Sequence, residues 1–171
     1  MNIVFIGMPG CGKSRLARMI ANKLGRPFVD VDEFIFQETG KDSAEHLAQL
    51  GDDKFLDFES EISQRINMEN GVIATTGSNP LRQEGIDHLR KNAITVWLDV
   101  PIEIIEARVG KRKDGDSRIV GAQTMTFPEI LSWRLTAYQN NHDIHFQLGK
   151  ECPKQIIARR ILNLLQQHGI R

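Results

Sequence analysis

The sequence predicts an α/β fold, a parallel five-stranded sheet with helices on both faces and a lid. Three observations lead there. Short apolar runs recur along the chain, longer amphipathic stretches separate them, and one long polar segment fits neither pattern. Strands of continuous apolar character belong in a sheet buried on both sides, which means parallel strands joined by helices.

Taken in order, residues 3–6 (IVFI) read as the first strand, and a glycine-rich turn leads into a helix over 13–24. A second strand over 28–31 ends in an acidic cluster. Helical periodicity fills 43–67 with a break near Gly51, and 72–74 is a third strand. A helix over 81–90, a strand over 94–98 and a helix over 102–109 follow. A helix over 128–140, a strand over 144–147 and a helix over 153–167 close the pattern. The remaining segment, 110–126, carries KRKDGDSR at its centre. A loop of that length in a compact domain is functional or disordered, and it is assigned here as the lid.

The whole chain, 1–171, reads as one domain. Lys plus Arg and Asp plus Glu are both 22, so the formal charge is zero. No basic excess or stripe marks a nucleic-acid binder. No apolar run approaches the ~20 residues that span a bilayer. Cys11 and Cys152 are the only cysteines, which fits a reducing compartment better than a disulfide scaffold. The expected location is cytoplasmic and the expected state a monomer.

Gly7-Met8-Pro9-Gly10-Cys11-Gly12-Lys13-Ser14 matches GxxxxGK[ST] in full, between an apolar strand and a helix. That is the context a phosphate-binding P-loop requires. Its glycines let the backbone curl so that N–H groups point at phosphate oxygens. Gly10, Cys11, Gly12 and Arg15 belong to this cradle, Lys13 would reach the β- and γ-phosphates, and the Ser14 hydroxyl would ligate Mg²⁺. The helix N-terminus adds its partial positive charge. The implied cofactors are ATP and Mg²⁺. Beside Lys13, the Cys11 thiol is a candidate for acidification, although a small side chain at a permissive loop position explains it as well.

Asp30 and Asp32 flank Val31 where the second strand should end. In extended chain both carboxylates point the same way. Next to a P-loop, one could organise Mg²⁺ and the other accept a hydroxyl proton. Acids at a solvated helix N-terminus would look the same, and spacing alone does not choose.

With these motifs, Phe55-Leu56-Asp57-Phe58-Glu59, Thr75-Thr76-Gly77-Ser78, Arg118, Arg134-Leu135-Thr136-Ala137-Tyr138 and Pro153 complete a pattern. The pattern resembles the shikimate kinase family over nearly the whole chain. The resemblance implies a kinase that transfers the γ-phosphoryl of ATP to a hydroxyl of a small metabolite, nominally shikimate. It implies Asp32 as base or orienter of the acceptor hydroxyl and Asp30 as support for Mg²⁺. Arg118 would fold over the triphosphate from the lid, Arg112 would lie against the adenine or else belong to a solvated basic loop, and Pro153 would border the adenine. Arg134 and Gly77 would hold the acceptor, Arg134 through its carboxylate. Such a cast suffices, because phosphoryl transfer is mostly positioning and charge neutralisation.

Departures from the family pattern gather at the acceptor. Leu56 stands where the family has a carboxylate-gripping arginine, and leucine donates no hydrogen bond. Thr76 and Ser78 flank Gly77 where the family has glycines, and they are expected to narrow or re-polarise the floor. Shikimate is therefore expected to be a poor substrate, with another hydroxylated acid or polyol as acceptor. Competing readings are a gluconate- or nucleotide-kinase-like enzyme, or a non-catalytic nucleotide switch. A guanine-reading N-K-x-D is missing from the sequence.

Overall fold

The computed structural model describes residues 1–110, 119–149 and 152–170. Five strands form one sheet in the order β2-β3-β1-β4-β5, and every neighbouring pair is parallel. The strands are β1 (Asn2–Ile6), β2 (Phe28–Asp30), β3 (Val72–Ala74), β4 (Ala93–Asp99) and β5 (Ile144–Gln147). All of β1 is buried, as a central strand covered on both faces must be. The register sets Phe5 beside Ala74 on one side and Val96 on the other. From β1 the chain runs to the edge at β2, returns through β3, and crosses to β4 on the opposite side of β1. That reversal creates the crevice outside the carboxyl ends of the strands where open α/β sheets bind ligands.

Among the described residues the helices are α1 (Lys13–Leu24), α2 (Val31–Thr39), α3 (Ser43–Leu50), α4 (Asp52–Ser63), α5 (Gln83–Arg90), α6 (Ile102–Val109), α7 (Phe127–Asn140) and α8 (Lys154–Gln167), with a 3-10 turn at Asn79–Leu81. Local chemistry explains their ends. Gly12 precedes α1 in the left-handed region (φ 97) and Gly25 ends it likewise (φ 63). A reciprocal box starts α3, with the Asp42 side chain accepting from the Glu45 N–H and Glu45 accepting from the Asp42 N–H. The periodicity expected over 43–67 is two helices split at Gly51, whose φ is 74, and the second ends at Ser63, four residues short of the expected end.

One element departs from the sequence expectation. The chain after Asp30 is not extended, because α2 begins at Val31. Asp30 is its N-cap, and Oδ1 accepts from the Asp32 backbone N–H at 3.0 Å. Val31 and Ile35, four residues apart, turn one face into the core. The reading of Asp30 and Asp32 as parallel side chains on a strand is therefore corrected: one caps the helix and the other lies in its first turn. Among the described residues, no helix is long and apolar enough to cross a membrane.

Candidate functional site

A cavity of about 480 Å³ opens at the carboxyl ends of β1, β2 and β3, a volume suited to small ligands. Its phosphate side is made by backbone. Gly7 has φ 143, and a Cβ there would come within 2.6 Å of the Leu98 carbonyl oxygen. Only glycine lets β1 turn into the loop this close to β4. Lys13 is buried, and its Nζ lies 3.4 Å from the Met8 carbonyl inside the loop. Lys13, Ser14, Pro9 and Gly10 all line the cavity. Cys11 faces the opposite way, 3% exposed and packed in the main hydrophobic core, as a small apolar residue would be.

Arg108, near the end of α6, donates from Nη1 to the Gly10 and Cys11 carbonyls at 3.3 and 3.2 Å. Sequence reading passed over this residue in favour of its neighbour Arg112. Its position in the last turn of a helix pointing at the loop was the available signal. Arg112 and Arg118, assigned to nucleotide contacts and the lid, lie outside the described residues. The described end of the predicted lid, 119–126, packs against the body. Ile119 and Val120 are buried and line the cavity, and the Gly121 N–H donates to Asp52 Oδ2 at 3.2 Å.

The acceptor side is made of side chains. Asp32 lines the cavity from the first turn of α2, and its Oδ1 accepts from the Ser43 hydroxyl at 2.6 Å. Asp30 lies behind it, 6% exposed and outside the lining. Arg134, from α7, is 1% exposed and lines the cavity. Nη2 donates to the Val120 carbonyl at 2.9 Å and the Tyr138 hydroxyl lies close enough to interact, whereas Nε and Nη1 are buried with no hydrogen-bond partner of good geometry. A buried cation left this poorly paired is costly unless something supplies an anion.

Gly77 joins the two sides. A Cβ at this position would meet Pro9 Cδ at 2.5 Å and Arg134 Nη1 at 2.9 Å. Tyr138, one turn along α7 from Arg134, donates its hydroxyl to the Gly77 carbonyl at 2.6 Å. The R-x-x-x-Y spacing thus fixes the arginine and the glycine floor together. Burial pushes the Tyr138 phenol up to about 12, so it remains a donor at neutral pH.

Glu59, on α4, is the residue that sequence reasoning placed in a motif but not in the site. It is 1% exposed and lines the cavity, with Oε1 accepting from the Ser78 hydroxyl at 3.1 Å. Burial raises its carboxyl from 4.5 to about 7. Hydrogen bonding by the Thr76 hydroxyl, opposed by the Asp32 charge, is the next influence, and Ser78 and Arg134 also favour the anion. Oε2 has no hydrogen-bond partner of good geometry, although the Thr76 hydroxyl, which accepts from the Asn79 N–H at 3.1 Å, keeps its own O–H free to donate towards it. Thr76 and Ser78 each take a hydrogen-bonding part in the floor: one accepts from the 3-10 turn and the other donates to Glu59. Leu56 takes no part in the lining. It is 1% exposed in an apolar cluster with Leu47, Phe55 and Val120.

Of the residues singled out from sequence, Gly10, Lys13, Ser14, Asp32, Gly77 and Arg134 share the cavity. Gly12 caps α1, Arg15 is exposed beside it, and Pro153 is exposed as the residue before α8, away from the lining.

The chain matches the profile of the family described as Shikimate kinase over residues 9–166. A Shikimate kinase from Clostridium botulinum (strain Alaska E43 / Type E3) is 37% identical over 161 residues, covering 91% of this chain and 86% of its own. Threonine synthase-like 1 of Homo sapiens is 32% identical over 169 residues, covering 98% of this chain but 22% of that protein. The chain thus spans about a fifth of the length of the relatives bearing that name. The structure of a shikimate kinase from Acinetobacter baumannii in complex with shikimate superposes with TM-score 0.82 at 21% identity, covering 99% of this chain and 95% of that one.

Proposed function

We propose, on the premise that this chain belongs to the shikimate kinase family, that it transfers the γ-phosphoryl of ATP to a hydroxyl of a small carboxylic acid other than shikimate. Arg134 carries the reading. It is a buried guanidinium with two nitrogens that lack a hydrogen-bond partner of good geometry, on the wall of a cavity that also holds Lys13, Ser14 and Asp32. An acceptor carboxylate on Nη1, the nitrogen beside Gly77 in the cavity wall, would supply the missing anion. Asp32, across the cavity, would take or orient the hydroxyl proton.

Lys13 and the loop N–H groups would bind the β- and γ-phosphates and hold the reacting phosphorus in place. The Ser14 hydroxyl lines the cavity as a hard oxygen donor of the kind Mg²⁺ prefers, and Asp30, behind the wall, would support the ion through its waters while Asp32 stays free for the acceptor. Mg²⁺ held there would neutralise phosphate charge. Arg118 would reach the γ-phosphate from the segment 110–126 as it closes. Shikimate is disfavoured because Leu56 supplies no second cation and Ser78 commits Glu59 to the floor. That a segment like this chain also forms part of proteins called threonine synthase-like 1 supports an acceptor outside the family's usual one.

The test is an assay coupling ADP release to a panel of hydroxylated acids, sugars and shikimate. ATP consumption that depends on one such acid, and that Arg134→Met lowers about ten- to a hundredfold in kcat/KM, supports the reading. ATP binding with no acceptor-dependent turnover across the panel would favour the nucleotide switch instead.

A further inference from the structure

Arg134 and Glu59 are both 1% exposed, both line the cavity, and both carry atoms without a partner. They influence each other electrostatically, yet among the described residues no ion pair joins them. One offers buried N–H donors and the other a buried carboxylate oxygen. Leu56, three residues before Glu59 and so on the same helical face, offers no cation, being packed into its apolar cluster. Ser78 holds Oε1 and thereby orients the carboxyl. A ligand bearing only a carboxylate would satisfy Arg134 and set a second negative charge near Glu59. A ligand bearing both charges would satisfy the two together, which is how buried ionic groups become tolerable.

We propose that the acceptor is a small hydroxylated amino acid, bound as its zwitterion with the carboxylate on Arg134 and the ammonium on Glu59. The proposal rests on the kinase reading above and names its substrate class. In the transfer, the amino acid hydroxyl oxygen bonds to the γ-phosphorus of ATP. The bond from that phosphorus to the β,γ-bridging oxygen breaks, and ADP leaves with its electron pair. The hydroxyl proton passes to the Asp32 carboxylate. The product is an O-phospho amino acid, so the reaction that consumes it must use phosphate as a leaving group or as a handle.

The groups that act on Glu59 are Asp32 from α2, Arg134 from α7, and the Thr76 and Ser78 hydroxyls after β3. With Asp32 opposing ionisation and Arg134 favouring it, an added ammonium favours the anion. Binding of the amino acid should therefore release a proton from Glu59 near neutral pH.

The test compares L-serine, L-threonine and L-homoserine with their hydroxy acid analogues, their amino alcohol analogues and shikimate, all with Mg-ATP. At least one amino acid should exceed both of its analogues, and shikimate, by tenfold or more in kcat/KM, on the order of one charge-assisted contact. Glu59→Gln should collapse the ratio of amino acid to hydroxy acid towards one. Calorimetry of that amino acid in two buffers of different ionisation enthalpy should show proton release by the wild-type protein and none by Glu59→Gln. If Glu59→Gln does not fold, the wild-type ratios and proton release decide. A hydroxy acid or shikimate used as well as its amino acid counterpart overturns the zwitterion and leaves the kinase reading standing. An amino alcohol used equally well overturns the place of the carboxylate on Arg134. No turnover of any compound by protein that binds ATP overturns both readings.

Discussion

The two sides of the cavity are built from different material. On the phosphate side the lining is a glycine-shaped loop with the Lys13 and Ser14 side chains at a helix N-terminus. The opposite side is lined by the side chains of Asp32 from α2, Glu59 from α4 and Arg134 from α7, carried there across large gaps in sequence. Backbone recognition depends on a few residues at fixed spacing, so it tolerates change around it. Side-chain recognition depends on each partner, and replacing one leaves the others to be compensated. The partnerless atoms of Glu59 and Arg134 lie on the second side.

The largest effect should come from the phosphate side. Lys13→Ala should lower kcat about 10²–10³-fold, as loss of a preorganised charge stabiliser does, in a protein that still unfolds cooperatively. Unchanged turnover in folded protein would break the comparison at its firmer end. Gly77→Ala should disturb both sides at once, because the added methyl collides with Pro9 and with Arg134. A loss of ~1–3 kcal/mol in chemical denaturation is expected, with turnover falling further through misplacement.

Much of this was legible in the sequence. GxxxxGK[ST] between an apolar strand and a helix locates the phosphate side, and apolar runs separated by amphipathic stretches give the sheet and its covering helices. Less visible was α2, because the acidic cluster at Asp30 and Asp32 looks like the end of a strand. The buried pair Val31 and Ile35, with Asp30 as a cap, was the signal for a helix. Glu59 could not be identified as a buried carboxyl from α4 alone. Its environment is made by Thr76, Ser78 and Arg134, none of them near it in the chain. Leu56 reads in sequence as a missing donor, whereas in the fold it is also a packing residue.

Effects confined to the acceptor side should be smaller. Arg134→Met should cost about ten- to a hundredfold in kcat/KM for the acceptor, the worth of charge-assisted bonds, while ATP affinity stays within about twofold. Its stability should hold or rise, since a poorly paired buried cation is removed. Equal losses in ATP binding and acceptor turnover would show that the two sides are not separable.

Glu59 adds a pH signature in the free protein. Its folded value of about 7 lies above the ordinary 4.5, so the fold holds a proton that the unfolded chain has released. Stability should fall as pH rises from about 4.5 to about 7, by about 3 kcal/mol, and level off above. Glu59→Gln should flatten that slope in denaturation series across the range, and an unchanged slope would remove Glu59 as its source. The smallest gain is expected from Leu56→Arg. Shikimate turnover should rise less than about tenfold, because the side chain at this position packs against Leu47, Phe55 and Val120 and Glu59 is already engaged by Ser78.

The most direct test of a retained phosphate side and an altered acceptor side is kcat/KM for shikimate, measured with ATP binding on the same protein. The account predicts ordinary Mg-ATP binding and shikimate turnover well below about 10⁴ M⁻¹s⁻¹, with another hydroxylated acid above it. Shikimate phosphorylated above that value would contradict it.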